Sequence, residues 1–331
     1  MNNRKKTDSI KYPLRFAPIL KQRVWGGKKY IPEDKNTKEP IGESWEISGL
    51  EENVSVVSNG PLAGTPLNSL LEKYKEDLLG KHVYEAFGNT FPLLFKFIDA
   101  DQDLSVQLHP NDALAKERHN SSGKTEMWYI IDAKEDAELI LGFNQVIDKE
   151  KYKKYLEEKR IAEIVEYRTI NKGEAYLVES GTVHAICKGV FLAEVQQASD
   201  ITYRIYDWDR LGVSGQPREL HTELALDAIN FDQKETKLAY EDKTNDAVSI
   251  CKTPYFNTNK VLVSGELTRN LSAKDSFVVY MCVEGKGEVC VNGKSEEITQ
   301  GESFLVPAVC DSLKIKGKDF ELLEVYVPKQ V

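Results

Sequence analysis

The sequence predicts a mainly β protein built from two related barrels or sandwiches, with helices inserted into the amino-terminal half. Three observations carry this. Short apolar runs of strand length recur along most of the chain: FPLLFKFIDA, LSVQLH, EMWYIIDA, AELILGF, EAYLVES, VFLAEVQQ and ITYRIYDW. Helical periodicity stops after about residue 235, whereas strand and turn signals continue to the end. A twelve-residue pattern also occurs twice, as Gly173-Glu-Ala-Tyr-Leu-Val-Glu-Ser-Gly-Thr-Val-His184 and Gly301-Glu-Ser-Phe-Leu-Val-Pro-Ala-Val-Cys-Asp-Ser312. Each copy is a glycine turn, a strand, a corner and a short run to a polar residue.

Residues 1–12 are polar, basic and aperiodic, which predicts a disordered tail. In 66–80, Pro66 stands early, leucines recur near helical spacing and Gly80 provides a stop, so a helix is expected there. The charged stretch 148–167 and the segment 217–229, with Pro217 at a plausible first turn, are expected to be surface helices. The polar run 235–246 marks a boundary, giving a first domain over 13–235 and a second over 236–331. Within the second, Asn292-Gly293 between apolar runs signals a tight hairpin.

Composition narrows the function. With 331 residues, two domains are the first expectation, and 41% hydrophobic residues suffice for packed cores. Lys and Arg number 44 against 53 Asp and Glu, a net charge of -9 that argues against a nucleic-acid binder. An anionic small substrate would then require a local cluster of Lys and Arg. No apolar stretch approaches a membrane span, and the amino end has no secretory h-region. Five cysteines, an odd number without a CxxC pair, suggest a reducing cytoplasm. The sequence carries no signal for oligomeric state.

Only five histidines occur. On a strand, Gln107 and His109 point to one side while Val106 and Leu108 point to the other. Glu126 opens another apolar strand, and His184 lies at the corner after a third. Two imidazoles and a carboxylate form a common zinc set with a position left open. Each residue alone could equally be a hydrogen-bonded polar group at a barrel mouth. His82, His119 and His221 sit in helix-like or loop contexts without a paired ligand and read as structural.

QLHPND, GKTEMWY, ESGTVHA and LAEVQQASDITYRIYDW, with VWGG and IGESWEIS nearer the amino end, together resemble the type I phosphomannose isomerases in their short bacterial form. The resemblance runs from about Pro13 to the end and is densest over 92–210. It implies two cupin-type double-stranded β-helix barrels, one zinc per chain, and interconversion of mannose 6-phosphate and fructose 6-phosphate. Carried over by motif, the metal set is Gln107, His109, Glu126 and His184, and the active-site arginine is Arg204. Glu194 and Lys124 match further active-site positions. Arg210 stands where larger members have a lysine, keeping the charge in a different shape. Lys124 and Arg210 are the candidates for holding substrate. Glu179 replaces the usual proline of the second cupin motif. Pro307 keeps the corner in the second copy, but Ser312 stands at the histidine position, which implies a metal-free second barrel.

The implied reaction moves a proton between C2 and C1 of the open-chain sugar through an enediolate. Glu194 is the preferred base, with a zinc-bound hydroxide or His184 as alternatives. Two other readings stay open: a metal cupin with other chemistry, such as an oxygenase or hydrolase, and a sugar-binding module without turnover.

Overall fold

The computed structural model describes residues 9–29, 40–232 and 234–329. Residues 1–8 of the expected tail lie outside that set. Ile10 and Tyr12 are buried, and the Tyr12 hydroxyl donates to the Asn59 carbonyl at 3.1 Å, so ordered packing begins before residue 13.

The chain forms two compact units. One comprises 20–45 and 95–238; the other comprises 1–19, 46–94 and 239–331. The chain passes from the one unit to the other between Leu238 and Ala239. The helical segment 46–94 groups with the carboxy-terminal residues instead of staying with the first half.

The amino-terminal strands are β1 (Ile19–Gly27), β2 (Ile41–Ile47), β3 (Leu93–Ala100), β4 (Val106–Leu108), β5 (Glu126–Ala133) and β6 (Glu138–Phe143). They continue as β7 (Val165–Thr169), β8 (Ala175–Val178), β9 (His184–Ile186), β10 (Val190–Gln197), β11 (Tyr203–Tyr206) and β12 (Lys237–Leu238). Two sheets result, in the orders β1-β2-β3-β10-β5-β8-β12 and β11-β4-β9-β6-β7. Trp128, Ile130 and Leu192 of the first sheet share a core with Leu139, Leu141 and Ile186 of the second. The alternate residues of the second sheet, among them Val106, Leu108, Ala185, Tyr203 and Ile205, pack beneath helices on its other face. Gln107, His184 and Arg204 therefore face the space between the sheets, as strand alternation requires.

The helices are α1 (Leu67–Tyr74), α2 (Glu76–Leu79), α3 (Lys81–Phe87), α4 (Asp112–His119), α5 (Lys149–Glu157) and α6 (Thr222–Ala228). The helix expected over 66–80 is split between α1 and α2, where Lys75 takes a φ of 49°. That left-handed backbone interrupts the helix at one residue. The stretch 148–167 is α-helical only over Lys149–Glu157, followed by a single 3-10 turn at Ile161–Glu163. Beyond the left-handed Lys159 (φ 57°), the β-branched and aromatic Val165, Tyr167 and Thr169 enter β7 beside β6.

In the other unit, β13 (Ala247–Lys252), β14 (Asn257–Asn270), β15 (Val278–Glu284), β16 (Lys286–Val291), β17 (Lys294–Thr299), β18 (Ser303–Val306) and β19 (Ser312–Tyr326) form one antiparallel sheet system. Asn292 and Gly293, with φ of 50° and 76°, make the tight turn between β16 and β17. The runs SLKIKG and FELLEVYV join in the single long strand β19. Val261, Tyr280, Phe304, Ile315 and Leu322 belong to its buried core. The repeated motif occupies matching places in both units. Gly173 and Gly301 turn with φ of 84° and 85°, then come β8 and β18, and the repeat ends on the first residues of β9 and β19.

Candidate active-site cavity and metal centre

Strand register assembles the site. In the second sheet Arg204 lies opposite Gln107, and Gln107 opposite His184, so three adjacent strands present a row of polar groups to the interior. In the first sheet Gln196 lies opposite Glu126 and Glu194 opposite Trp128. Lys96 on β3 points to the same face, 2.9 Å from Glu194 Oε2.

His109, Glu126 and His184 are each 1% exposed, and each offers a ligand atom within 4.8 Å of the others. Both imidazoles are oriented from behind: His109 Nδ1 meets the Ile201 carbonyl at 2.8 Å and His184 Nδ1 meets the Thr182 carbonyl at 2.8 Å. Each Nδ1 must donate there, which leaves an Nε2 lone pair on the inner side. His109 Nε2 lies 3.2 Å from Glu126 Oε1, while His184 Nε2 is buried without a hydrogen-bond partner. A buried, unpartnered acceptor next to a carboxylate is costly unless a cation completes it.

Protonation states agree. Burial and the neighbouring Lys124 ammonium push His109 down to about 3, and burial lowers His184. Burial opposes the charge of Glu126, yet the Lys124 ammonium holds its carboxyl well below the usual range. Two neutral imidazoles and one carboxylate are the forms a divalent metal binds. The residues fit a metal, and nitrogen–oxygen donors of this kind suit zinc. Gln107 shares the inner face, but its Oε1 accepts from Ser105 Oγ at 3.2 Å.

Glu194 differs from Glu126. Burial and the charge of Glu126 raise its pKa against the opposing pull of Lys96 and Lys124. The Trp128 indole N–H lies between the two carboxylates, 3.1 Å from Glu126 Oε2 and 2.9 Å from Glu194 Oε1. Lys124 Nζ is 2.9 Å from Glu126 Oε1.

A cavity of about 400 Å³ opens over this floor. Its lining carries the cations Arg23, Lys96, Lys124, Arg204 and Arg218 against the acids Glu43, Glu194 and Asp200. In a chain of net charge -9 this is the local positive excess that an anionic substrate requires. The sequence reading singled out Gln107, Lys124, His184, Glu194 and Arg204 of the lining. Arg210 is not in the lining. Its Nε and Nη2 bind Asp207 Oδ1 at 3.2 Å, and Arg218, which does line the cavity, binds the other Asp207 oxygen at 2.7 Å. Lys96, Arg23, Glu43 and Arg218 went unremarked in the sequence. A lysine amid the otherwise apolar run FPLLFKFIDA was the available signal for Lys96, since a charge in a buried strand needs a partner. The three other histidines have ordinary partners, His82 at Asp275 and His119 at the Tyr203 hydroxyl, with His221 against the backbone of Arg204.

Comparison with known proteins places this geometry. Residues 14–155 match the family described as phosphomannose isomerase type I, catalytic domain. Residues 247–327 match the mannose-6-phosphate isomerase cupin domain. The chain is 37% identical over 317 residues to the probable mannose-6-phosphate isomerase GmuF of Bacillus subtilis, covering 92% of this chain and 96% of that one. It is 35% identical to the mannose-6-phosphate isomerase ManA of the same organism over 92% and 96% of the two chains. The crystal structure of the Bacillus subtilis mannose 6-phosphate isomerase superposes with a TM-score of 0.84 at 33% identity, over 95% of this chain and 99% of that one. The chain belongs to the type I phosphomannose isomerase family.

Proposed function

We propose that the chain is a zinc-dependent aldose–ketose isomerase interconverting mannose 6-phosphate and fructose 6-phosphate. The observation that carries this reading is the pairing of two unlike carboxylates across one indole. Glu126 is held ionised within the imidazole set, and Glu194 is raised toward the range of a working base. His109, Glu126 and His184 would hold the metal, with Gln107 as a fourth, looser ligand. Bound there, zinc would supply Lewis-acid polarisation of the sugar's C1 and C2 oxygens.

Glu194 takes the proton from C2 of the open-chain aldose and returns it to C1, while the O2 hydroxyl proton passes to O1. The Lys96 ammonium fixes the second oxygen of Glu194 and keeps it facing the substrate. Lys124, at the floor, and Arg204, on the opposite sheet, place positive charge where the enediolate oxygens develop theirs. Arg204 hydrogen-bonds Ser105 Oγ at 3.2 Å and the Glu219 carbonyl at 2.8 Å. The nearby Asp207 carboxylate is bound by Arg210 and Arg218 instead. Arg23 and Arg218 form the phosphate-holding end, with Arg210 acting through Asp207. Five cysteines, all free thiols, support a cytoplasmic setting, and among the described residues no helix is long and apolar enough to cross a membrane.

A coupled assay for fructose 6-phosphate formation tests the reading. Activity that disappears on chelation and returns with zinc is expected. Failure to turn over mannose 6-phosphate at full metal occupancy would remove it.

A further inference from the structure

We propose that His221 is a positioning residue that clamps Arg204 from the free edge of its strand. The inference rests on the isomerase reading for its consequence, though its geometry stands alone.

Among the described residues β11 is an edge strand, paired only with β4. The outward N–H and C=O of an edge residue must find partners elsewhere. For Arg204 both are supplied by one residue. The Arg204 N–H donates to His221 Nδ1 at 3.2 Å, and the His221 N–H donates to the Arg204 carbonyl at 2.7 Å. Two residues upstream, the Glu219 carbonyl accepts the Arg204 guanidinium at 2.8 Å. The segment leading into α6 thus holds Arg204 at its amide, its carbonyl and its head group. Of the three groups this segment contributes, two are backbone and only the His221 imidazole is a side chain.

The acceptor role fixes the chemistry. His221 Nδ1 must carry a lone pair, so the proton sits on Nε2, which faces Glu219 Oε2 at 3.9 Å. Besides Glu219, the groups that act on this ring are Arg204 and His119, with the Tyr203 ring alongside at 6.3 Å. Burial and the Arg204 charge lower the His221 pKa. The acceptor therefore persists at neutral pH and is lost as pH falls below the ordinary histidine range of about 6.5, when Nδ1 gains a proton and repels the amide. A guanidinium displaced by about 1 Å is worth up to about a hundredfold in rate.

His221→Ala and His221→Asn, both zinc-loaded, test the clamp. Asparagine places an acceptor near the Nδ1 position and does not titrate. Expected for His221→Ala is a fall of about tenfold or more in kcat with KM within about twofold and an unfolding midpoint close to wild type. His221→Asn recovers most of the rate. Its kcat relative to wild type then climbs as pH falls below about 6.5. Imidazole nitrogen chemical shifts, assigned by difference against His221→Asn, should report the Nε2–H tautomer at neutral pH. Wild-type kcat in His221→Ala, an asparagine variant no better than alanine, or an Nδ1–H tautomer would each overturn the clamp. If His221→Ala does not fold, the asparagine pH profile and the tautomer decide. If wild type itself does not isomerise mannose 6-phosphate, the isomerase reading falls, and the tautomer decides the clamp alone.

Discussion

The two units put the same strands to opposite uses. In one, Glu126 lies opposite Val178; in the other, at the matching place of the repeat, Val278 lies opposite Val306. Trp128 lies opposite Tyr176, and Tyr280 opposite Phe304. One strand further, Glu194 faces Trp128 and Glu324 faces Tyr280. A buried glutamate is thus kept in both barrels, hydrogen-bonded by an aromatic neighbour: the indole at 2.9 Å in one, the phenol at 2.6 Å in the other. Their environments separate them. Glu194 has the carboxylate of Glu126 nearby and is pushed up; burial opposes the charge of Glu324, but Arg269 and Lys274 pull it down to about 2. Glu324 also accepts from Asn259 at 2.8 Å, so its oxygens are fully engaged. A fold position supplies a buried acid, and the surrounding charges decide whether its pKa is pushed up or held down.

The largest effect should come from the His109, Glu126 and His184 cluster, which among the described residues lies in the first barrel alone. His184→Ala is expected to abolish metal retention and activity together, because a three-donor site without one imidazole holds little. The reciprocal Ser312→His should gain no metal, since Val278 offers no carboxylate. Elemental analysis of both variants checks this, and stoichiometric metal on His184→Ala would break the contrast.

Next come the paired glutamates. Glu194→Gln should reduce kcat by about 10²–10⁴ while the protein stays folded. Glu324→Ala should leave kcat of the folded fraction unchanged and cost about 1–3 kcal/mol, because the buried Tyr280 hydroxyl loses its acceptor. Kinetics and denaturant unfolding on the same preparations separate the two outcomes. Exchanged phenotypes would refute the assignment of roles.

Arg204→Ala follows, with an expected loss of about 10²–10³ in kcat and little recovery by lysine, which lacks the planar donor fork. Near-normal kcat in the zinc-loaded variant would take Arg204 off the reacting centre.

Acid titration gives a smaller signal of opposite sign in the two barrels. Glu324, depressed in the folded state, contributes stability above its ordinary value of 4.5 that is lost as pH falls toward about 2. Glu194, raised in the folded state, favours folding in acid and loses that contribution as pH climbs through its raised value. Glu324→Gln should therefore flatten the acid limb of stability. An unchanged acid limb would count against the bracing role.

How much of this was legible in the sequence follows from the range of the interactions. Alternation alone put Gln107 and His109 on one side, and the repeat located both second-motif strands. The meeting of Glu126 with two histidines depends on which strands pair, a long-range fact that only motif resemblance supplied. The exchange of Arg218 for Arg210 was hidden because both lie on an irregular loop, where spacing gives no facing. Lys96 was missed for the opposite reason: its strand reads as core, and the buried partner that makes its charge tolerable lies on β10. The break at Lys75 is a single backbone residue that leucine periodicity cannot register.

The smallest effect tests the repeat itself. Gly301 turns at φ 85° with open space around a would-be Cβ, so Gly301→Ala should cost about 1–2 kcal/mol from backbone strain alone. A neutral substitution, read by thermal unfolding, would mean the turn relaxes.

The Trp128 indole has a single hydrogen and two carboxylates within reach, and its ring stands edge-on to His184 at 5.4 Å. It behaves as a balance beam. When Glu194 takes up a proton it no longer draws on that hydrogen, which then tips toward Glu126 and firms the carboxylate against its imidazoles. When Glu194 is ionised the hydrogen tips back. A change of charge at either carboxylate should thereby be felt by the other through the hydrogen they share, and the indole's proton resonance should follow it.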